Sequence, residues 1–262
     1  MAPHSTRRNT RERHDALLGL VKDGMTHVDD LADALAVSPS TVRRDLSRLS
    51  EGRKLARTYG GAVVPETFHE RPIAESAQAQ RKAKEAIANA ARQFVPATGT
   101  IFIDAGTTCV ALARLLAREA TEAGLVVATR GLETALALAD SGHVDVILLG
   151  GRVRSLSHGL VGPLTDLATE RLSFTAAFLG GDAVDPSRGV GEPTLEEIAV
   201  KERVAGRAQH TVVVADATKL AVPDVPAWTS FAGGWTLVTD AAAPPDLAER
   251  CAAAGVGLTV AS

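Results

Sequence analysis

The sequence is poor in cysteine and aromatic residues, and it lacks long uncharged apolar runs. Cys109 and Cys251 are the only cysteines among 262 residues, and neither has the spacing of a CxxC or Cys/His zinc site. This argues against a disulfide framework or metal site and favours a reducing compartment. The aromatic content of 3% accompanies abundant Ala, Arg and Val, which indicates coding bias rather than function.

No stretch reaches about 18 apolar residues without a charge, the length that a membrane-spanning helix needs. The first residues also lack the apolar run of a signal peptide. We therefore expect a soluble, cytoplasmic protein with no membrane partner. With 45% apolar residues, a chain of this length can bury the cores of two ordinary domains.

Charge is distributed unevenly along the sequence. The net charge is -3 for the whole chain, but it is +3 for residues 1–64 and -6 for residues 65–262. Between Arg43 and Arg57 there are six basic residues and only two acidic ones. A basic patch on an acidic protein is typical of a small nucleic-acid-binding module attached to another domain.

Residues 38–49 predict a helix with one apolar and one cationic face. Ser38 can cap its start, and Pro39 suits its first position because no donor is needed there. At about 100° per residue, Val42, Leu46 and Leu49 share the apolar face. The opposite face carries Ser40, Arg44, Ser47 and Arg48. Such a helix can lie in the major groove of DNA.

The surrounding pattern predicts a winged helix-turn-helix domain over residues 1–64. One helix ends at Asp23-Gly24, a second runs from about Val28 to Leu35, and Ala36-Val37 forms the turn before the recognition helix. Alternation between Lys54 and Val64, with the Gly60-Gly61 pair, indicates a β-hairpin wing. We expect the domain to bind double-stranded DNA.

Different roles are expected on this DNA-binding surface. Arg44 and Ser40 are central and are candidates for contacts with base edges. The residues expected to contact phosphates are Ser38, Thr41, Arg43, Arg48 and Arg57. The alternative is a solvated helix face in which Asp45 and Glu51 pair with the arginines.

Residues 65–262 predict an α/β domain around a mostly parallel sheet. A polar linker from Pro65 to about Pro72 precedes an Ala/Gln/Lys/Glu-rich stretch, residues 75–95, which predicts a long helix. Short apolar strands then alternate with helical segments. The predicted strands are residues 100–103, 125–128, 144–149, 176–179, 211–215 and 236–239.

Small, hydroxyl and charged residues follow these strands, where open α/β sheets bind ligands. Gly106 permits close backbone approach, and Thr107 and Thr108 offer hydroxyls beside the free N–H groups of a helix start. Together with the cations Arg130, Arg152 and Lys219, this loop predicts a site for an anionic small molecule. The alternative is an ordinary strand-to-helix turn. The candidate site residues are Asp104, Gly106, Thr107, Thr108, Arg130, Gly151, Arg152, Asp182, Asp216 and Lys219.

Several motifs resemble a known family. Val37-Ser-x-x-Thr-Val-Arg-Arg-Asp-Leu46, Leu55-x-Arg57 and Tyr59-Gly-Gly-Ala62 resemble the amino-terminal signature of the DeoR family of bacterial sugar-catabolism regulators. Phe68-x-Glu-Arg71, Ile101-Phe-Ile-Asp-Ala-Gly-Thr-Thr108 and Ala215-Asp-x-x-Lys219 resemble its sensor domain, which is similar in fold to ribose-5-phosphate isomerase.

The resemblance implies a repressor of carbohydrate catabolism genes, modulated by a phosphorylated sugar or related metabolite. Asp104, Gly106, Thr107 and Thr108 would line the phosphate loop, and Lys219 with Asp182 and Asp216 would face the sugar. Arg130 stands where the family usually has Asn, so it adds a cation to the pocket or blocks part of it. A homodimer or homotetramer is expected.

The alternative is a sugar-phosphate isomerase-like enzyme or a bifunctional protein. The related enzymes carry a dense Asp-Gly-Ala-Asp-Glu stretch, whereas Gly181-Asp-Ala-Val-Asp185 has fewer carboxylates. We therefore predict no catalytic residues and no cofactor. Three residues keep two interpretations each. Lys84 reaches the ligand or lies on the exposed surface of a helix, the thiol of Cys109 has a lowered pKa or is inert, and Glu197 contacts the effector or pairs with Lys201.

Overall fold

The computed structural model describes residues 10–22, 25, 27–51, 56–58, 61–63, 70–119, 124–222, 225–231 and 233–262. The chain divides into two compact units, Met1–Thr67 and Phe68–Ser262. Among the described helices, none is long and apolar enough to cross a membrane.

The described residues of the first unit form three helices and a β-hairpin. They are α1 (Thr10–Lys22), α2 (Val28–Leu35), α3 (Pro39–Glu51), β1 (Ala56–Thr58) and β2 (Gly61–Val63). Ala36 ends α2 in the left-handed region at φ 54°, which turns the chain sharply into α3. Leu31, Val42 and Leu46 are fully buried in the shared core, and β1 pairs antiparallel with β2. These elements confirm the predicted winged helix-turn-helix.

The second unit is a layered α/β domain. Its helices are α4 (Ile73–Gln78), α5 (Arg81–Ala91), α6 (Thr107–Arg118), α7 (Leu132–Leu138), α8 (Pro163–Glu170), α9 (Leu195–Ala205) and α10 (Leu247–Ala254), with 3-10 turns at Arg92–Phe94 and Ala217–Ala221. Its strands are β3 (Gly99–Ile103), β4 (Leu125–Thr129), β5 (Val144–Leu148), β6 (Arg152–Val153), β7 (Leu160–Val161), β8 (Phe174–Leu179), β9 (Ala183–Asp185), β10 (Gly189–Glu192), β11 (Ala208–Val214), β12 (Ala227–Trp228), β13 (Trp235–Asp240) and β14 (Gly257–Ala261).

Seven strands form one parallel sheet in the order β14-β13-β11-β8-β3-β4-β5. Strand β3 shows why both faces are covered: Ile101 and Ile103 enter one apolar core, and Phe102 enters the other. The first core includes residues of α5, α6 and α7, and the second includes residues of α9 and α10. Buried parallel strands read as continuous apolar runs, which is the pattern that predicted them.

Two small antiparallel sheets accompany the large one. Strands β12, β10 and β9 form a three-stranded sheet in that order, and β6 pairs with β7. The mostly parallel α/β prediction is therefore confirmed. The sequence predicted neither small sheet, and it did not predict β14 at the edge of the large sheet.

The long helix predicted over residues 75–95 is wrong. The structure breaks it between α4 and α5, where Ala79 is extended and Gln80 adopts φ 53°, ψ 34°. The buried ammonium of Lys84 donates to the carbonyl oxygens of Ser76 at 2.7 Å and Ala79 at 2.5 Å. These carbonyls are thereby satisfied without a continuous helix.

Candidate functional site

Helix α3 presents the predicted cationic face. Ser38 accepts a hydrogen bond from the Thr41 N–H at 3.2 Å, as expected for a cap, and its hydroxyl lies 2.8 Å from those of Ser40 and Thr41. Arg43, Arg44 and Arg48 are exposed, and so are Ser38 and Ser40. The Ser47 hydroxyl donates to the Arg43 carbonyl at 3.0 Å. The backbone of Arg57 lies in β1, and its side chain is outside the described residues.

Asp45 does not pair with the arginines of α3, so that part of the solvated-face interpretation is wrong. Its carboxylate is buried and accepts hydrogen bonds from Arg13 Nε at 2.6 Å and from His14 Nε2 at 3.1 Å, both on α1. Burial alone would raise the pKa of Asp45, but these two partners hold it below its usual value. The side chain of Glu51 lies outside the described residues.

The strand order of the large sheet reverses between β3 and β8, and we call the region outside the carboxyl ends of these two strands the crevice. Successive strands from β3 run one way to β5, and from β8 they run the other way to β14. Ligands bind at such a switch point in open α/β sheets. Here Ala105-Gly106 leads from β3 into α6, and Gly180-Gly181 follows β8.

The loop before α6 has the features of an anion-binding turn. Gly106 adopts φ 109° with open space where a Cβ would stand, which favours glycine at this position. Thr107 and Thr108 are half-buried in the first turn of α6, whose N–H groups have no intrahelical partner. The structure thus places Gly106, Thr107 and Thr108 together at the switch point.

Asp104 lies beneath this loop and is not exposed to it. Its carboxylate is fully buried between two cations, with Arg130 Nε at 2.6 Å from Oδ1 and Lys201 Nζ on Oδ2. Lys201 also donates to the carbonyl oxygen of Gly180 at 3.0 Å, across the crevice. Asp104 and Arg130 therefore form the floor of the crevice by pairing with each other.

These pairs belong to a larger set of alternating charges, which we call the ion-pair network. Its members in order are Glu70, Arg154, Glu197, Arg130, Asp104, Lys201 and Glu192. The closest approaches are 2.7 Å for Glu70 to Arg154, 2.9 Å for Arg154 to Glu197, 3.7 Å for Glu197 to Arg130 and 3.1 Å for Lys201 to Glu192. Four carboxyls alternate with three cations.

Burial and pairing oppose each other within the network. Burial would raise the pKa of Asp104, but the charges of Arg130 and Lys201 outweigh it and lower that pKa. Burial dominates at Glu192 and raises its pKa to about 8, despite the charge of Lys201. Burial also raises the pKa of Glu197. Glu192 therefore ionises at a higher pH than Asp104.

Asp182, Asp216 and Lys219 form a second group at the ends of β8 and β11. Lys219 Nζ lies 3.0 Å from Asp182 Oδ1, and both side chains are partly exposed. Asp216 is buried, caps the following turn through the Thr218 N–H, and lies 3.9 Å from Lys84 Nζ. Lys84 is thus buried at the strand ends rather than decorating a helix surface.

Two predicted residues stand apart from these groups. Arg152 is exposed and pairs with Glu196 at 2.9 Å. Among the described residues, no ion pair or side-chain hydrogen bond joins Arg152 to another candidate effector residue. Gly151 packs against Thr165 and Val161. Their roles in effector binding stay predictions, and the contacts of Gly151 are those of a packed turn.

Replacing Gly151 with alanine is expected to destabilise the second unit by on the order of 3 kcal/mol. The residue has φ 145°, and an added Cβ would lie 2.8 Å from the Val161 carbonyl oxygen and would also overlap the Thr165 hydroxyl. Gly162→Ala is the matched control because Gly162 has φ 104° with open space beside it. Urea denaturation should show a smaller loss for the control, and equal losses would contradict the steric role.

The free energy of unfolding is expected to fall as pH rises from about 5 to 8.5. The unfolded chain ionises Glu192 near its ordinary pKa, whereas the folded protein keeps it protonated up to about 8, so rising pH favours unfolding over that window. Glu192→Gln should remove a contribution on the order of a few kcal/mol from this dependence. Denaturation of both proteins at pH 5.5 and 8.5 tests this, with exposed Glu196→Gln as the control. An unchanged slope would contradict it.

Sequence reasoning did not predict Glu192, Arg154 and Glu70 as members of the ion-pair network, nor the contact between Lys201 and Asp104. The expected pairing of Glu197 with Lys201 is wrong, because each has a partner from another element. A signal was present: Glu197, Lys201 and Val204 lie on one buried stripe of α9, where a charged residue must be paired.

Cys109 is buried, which raises the pKa of its thiol and makes it inert. In the described part of the chain, no cluster of His, Cys, Asp or Glu is suited to a metal.

Comparison with known families gives two matches. The DeoR-like helix-turn-helix domain matches residues 13–68, and the DeoR C terminal sensor domain matches residues 79–241. The chain belongs to the DeoR family. The resemblance drawn from the motifs is confirmed over both parts of the chain.

Curated DeoR-family relatives cover most of the chain. It is 32% identical to the HTH-type transcriptional regulator GlpR of Haloferax volcanii over 247 residues, 94% of this chain and 95% of that protein. It is also 32% identical to the glycerol-3-phosphate regulon repressor of Escherichia coli K12, over 79% of this chain and 82% of that protein. HTH-type transcriptional repressor CsqR of the same strain is 33% identical, over 79% and 78%.

Solved structures match at lower levels. A ribose-5-phosphate isomerase in complex with phospho-erythronic acid matches with a TM-score of 0.40 and 17% identity, over 55% of each chain. The sorbitol operon regulator SorC from Klebsiella pneumoniae matches with a TM-score of 0.37 and 12% identity, over 81% of this chain and 90% of that one.

Proposed function

We propose that this DeoR-family protein represses carbohydrate catabolism genes, and that a phosphorylated sugar or related metabolite modulates its binding to operator DNA. The observation that carries the proposal is that one chain combines the exposed Ser/Arg face of α3 with an anion-binding turn at a sheet switch point. The cytoplasm is the expected location, because both ligands are found there.

The DNA-binding part of the proposal assigns two kinds of contact. Arg44 and Ser40 would contact base edges, where an arginine pairs well with guanine. The hydroxyls of Ser38 and Thr41 and the charges of Arg43 and Arg48 would hold phosphates, and this contribution weakens with salt. In a symmetric dimer or tetramer, paired helices would bind half-sites about 34 Å apart or a multiple of it.

The effector part assigns the phosphate to the turn before α6. The N–H groups and hydroxyls of Thr107 and Thr108 would bind it, and open space at Gly106 allows close approach. Lys219 and Asp182 at the neighbouring strand ends would contact the sugar. Because Asp104 and Arg130 neutralise each other below the loop, we assign them to positioning this turn rather than to direct binding.

A non-enzymatic role is part of the proposal. Isomerisation of a sugar phosphate needs a carboxylate base at the carbonyl carbon. In this crevice, Asp104 is sealed by two cations and Asp182 is paired with Lys219. Incubating the full chain with glycerol 3-phosphate, ribose 5-phosphate and other sugar phosphates tests both parts. Binding without conversion supports a sensor, turnover favours the enzyme, and no binding by any member contradicts the effector proposal.

Lys219→Ala is expected to make operator binding unresponsive to the effector. Loss of a charged hydrogen bond should weaken effector binding by about 10- to 150-fold, while the first unit and its DNA affinity stay unchanged. Fluorescence anisotropy of promoter DNA, titrated with each sugar phosphate, provides the measurement. Arg171→Ala is the control at an exposed cation outside the candidate effector residues. Simultaneous loss of DNA binding in Lys219→Ala would contradict separate sites.

A further inference from the structure

The beginning of the second unit is tied to the floor of the effector crevice by one arginine. Arg154 donates to both carboxylate oxygens of Glu70, at 2.8 Å and 2.7 Å, and its Nη1 lies 2.9 Å from Glu197 Oε2. Its side chain is only 12% exposed, and those of Glu70 and Glu197 are 9% and 2% exposed. A buried bidentate arginine pair holds both partners in a defined geometry.

The loop that carries Arg154 is also bonded to both sides through its backbone. The Ile73 N–H, at the start of α4, donates to the Leu156 carbonyl at 2.8 Å. On the other side, the Leu160 N–H donates to the Arg130 carbonyl at 2.7 Å. The segment 70–78, which we call the connector, is therefore attached to the strand end that carries Arg130 by side-chain and backbone contacts together.

The ion-pair network extends this attachment to the proposed phosphate site. Glu197 lies 3.7 Å from Arg130, which contacts Asp104, and Asp104 directly precedes the turn that leads into α6. An anion bound at that turn changes the field acting on Asp104 and Arg130, which are buried and screened little by solvent. A shift of Arg130 changes the position of Glu197 and therefore the electrostatic attraction between Glu197 and Arg154.

We propose that Arg154 and Glu70 are positioning residues that couple effector binding to DNA affinity by fixing the connector on the ion-pair network. This inference rests on the proposed function, since it needs an effector at the turn before α6. The connector is the first described segment after the DNA-binding unit. A change in how the connector is attached to the ion-pair network would therefore be transmitted along the chain to that unit. Coupling between two such sites typically amounts to about 5- to 150-fold in affinity.

The test uses Glu70→Gln in the full chain, because glutamine keeps the shape and the acceptor oxygen while removing the charge. Glycerol 3-phosphate, ribose 5-phosphate and inorganic phosphate serve as probes, and the readout is the ratio of DNA dissociation constants with and without each saturating probe. We expect a ratio of about 5 or more for the unmodified protein and less than about 3 for Glu70→Gln. Probe affinity and probe-free DNA affinity should each stay within about threefold, which a general loss of structure would not allow.

Glu75→Gln is the matched control, since Glu75 is exposed on α4 of the same connector. It should retain the full ratio. Arg154→Lys should give an intermediate ratio, because an ammonium cannot bind Glu70 through two parallel hydrogen bonds. Hydrogen exchange at the Ile73 amide should quicken in Glu70→Gln without any probe.

The outcomes separate the two proposals. A full response in Glu70→Gln, alongside a responsive unmodified protein, would overturn the coupling role and leave the proposed function standing. If no probe alters DNA binding by the unmodified protein, the proposed function fails and the coupling role fails with it. An equal loss of response in Glu75→Gln would also overturn the specific role of Glu70.

Discussion

Arg44→Ala is expected to abolish specific operator binding and leave effector affinity unchanged. Its guanidinium is exposed at the centre of the polar face of α3, where a base contact is worth about 1–3 kcal/mol. In a symmetric oligomer both recognition helices lose this contact, so the losses compound. Fluorescence anisotropy with a duplex from the promoter region and a scrambled duplex, both at one salt concentration, measures the effect.

Arg48→Ala provides the comparison because we expect Arg48 to contact phosphate. It should weaken binding to both duplexes by a similar factor. It should also reduce the slope of log affinity against log salt concentration by about 1, the value for one phosphate contact. Arg44→Ala should instead act mainly on the promoter duplex. If it weakens both duplexes equally, the assignment of Arg44 to a base edge is wrong.

Lys201→Met is expected to destabilise the second unit by about 3–5 kcal/mol, because it leaves the carboxylate of Asp104 buried with one cation fewer. Lys201 is 1% exposed and joins Asp104, Glu192 and the Gly180 carbonyl at the crevice floor. Chemical denaturation, followed separately for each unit, gives the loss. The unfolding of the first unit should not change.

The double variant Asp104→Asn/Lys201→Met should recover only part of this loss, because it removes the carboxylate that lost Lys201 but leaves Arg130 with Glu197 at 3.7 Å as its remaining carboxylate partner. The exposed pair of Arg152 and Glu196 supplies the control, and Arg152→Ala should cost no more than about 1 kcal/mol. If Lys201→Met and Arg152→Ala lowered the free energy of unfolding equally, burial of the ion pair would not be the cause of the loss.

Local signals in the sequence were sufficient for the recognition helix. The cap at Ser38, the proline at the first position and the spacing of Val42, Leu46 and Leu49 all act within one helix, and the structure agrees with them. The buried strands were predicted for the same reason, since their apolar runs are continuous. Strands β6, β7 and β12 have only two residues each, too few to show a period.

The site was predicted less completely because its chemistry depends on distant pairs. Asp104 and Lys201 are 97 positions apart, and Arg154 and Glu70 are 84 apart, so no local pattern joins them. The sequence located Gly106, Thr107 and Thr108 at a strand end, but it could not reveal that Arg130 turns inward to Asp104. Likewise, the break at Ala79-Gln80 carries no glycine or proline and depends on where Lys84 is buried.

The inward orientation of Asp45 has a consequence for how the protein approaches a polyanion. Asp45 lies between Arg43 and Leu46 in the sequence. Its buried carboxylate binds Arg13 and His14 of α1, and these two side chains shield it from the outer surface. Long-range attraction toward DNA therefore acts on the arginines of α3 without a competing repulsion from Asp45. A neutral residue at position 45 would leave Arg13 without this carboxylate and would loosen the contact between α1 and α3.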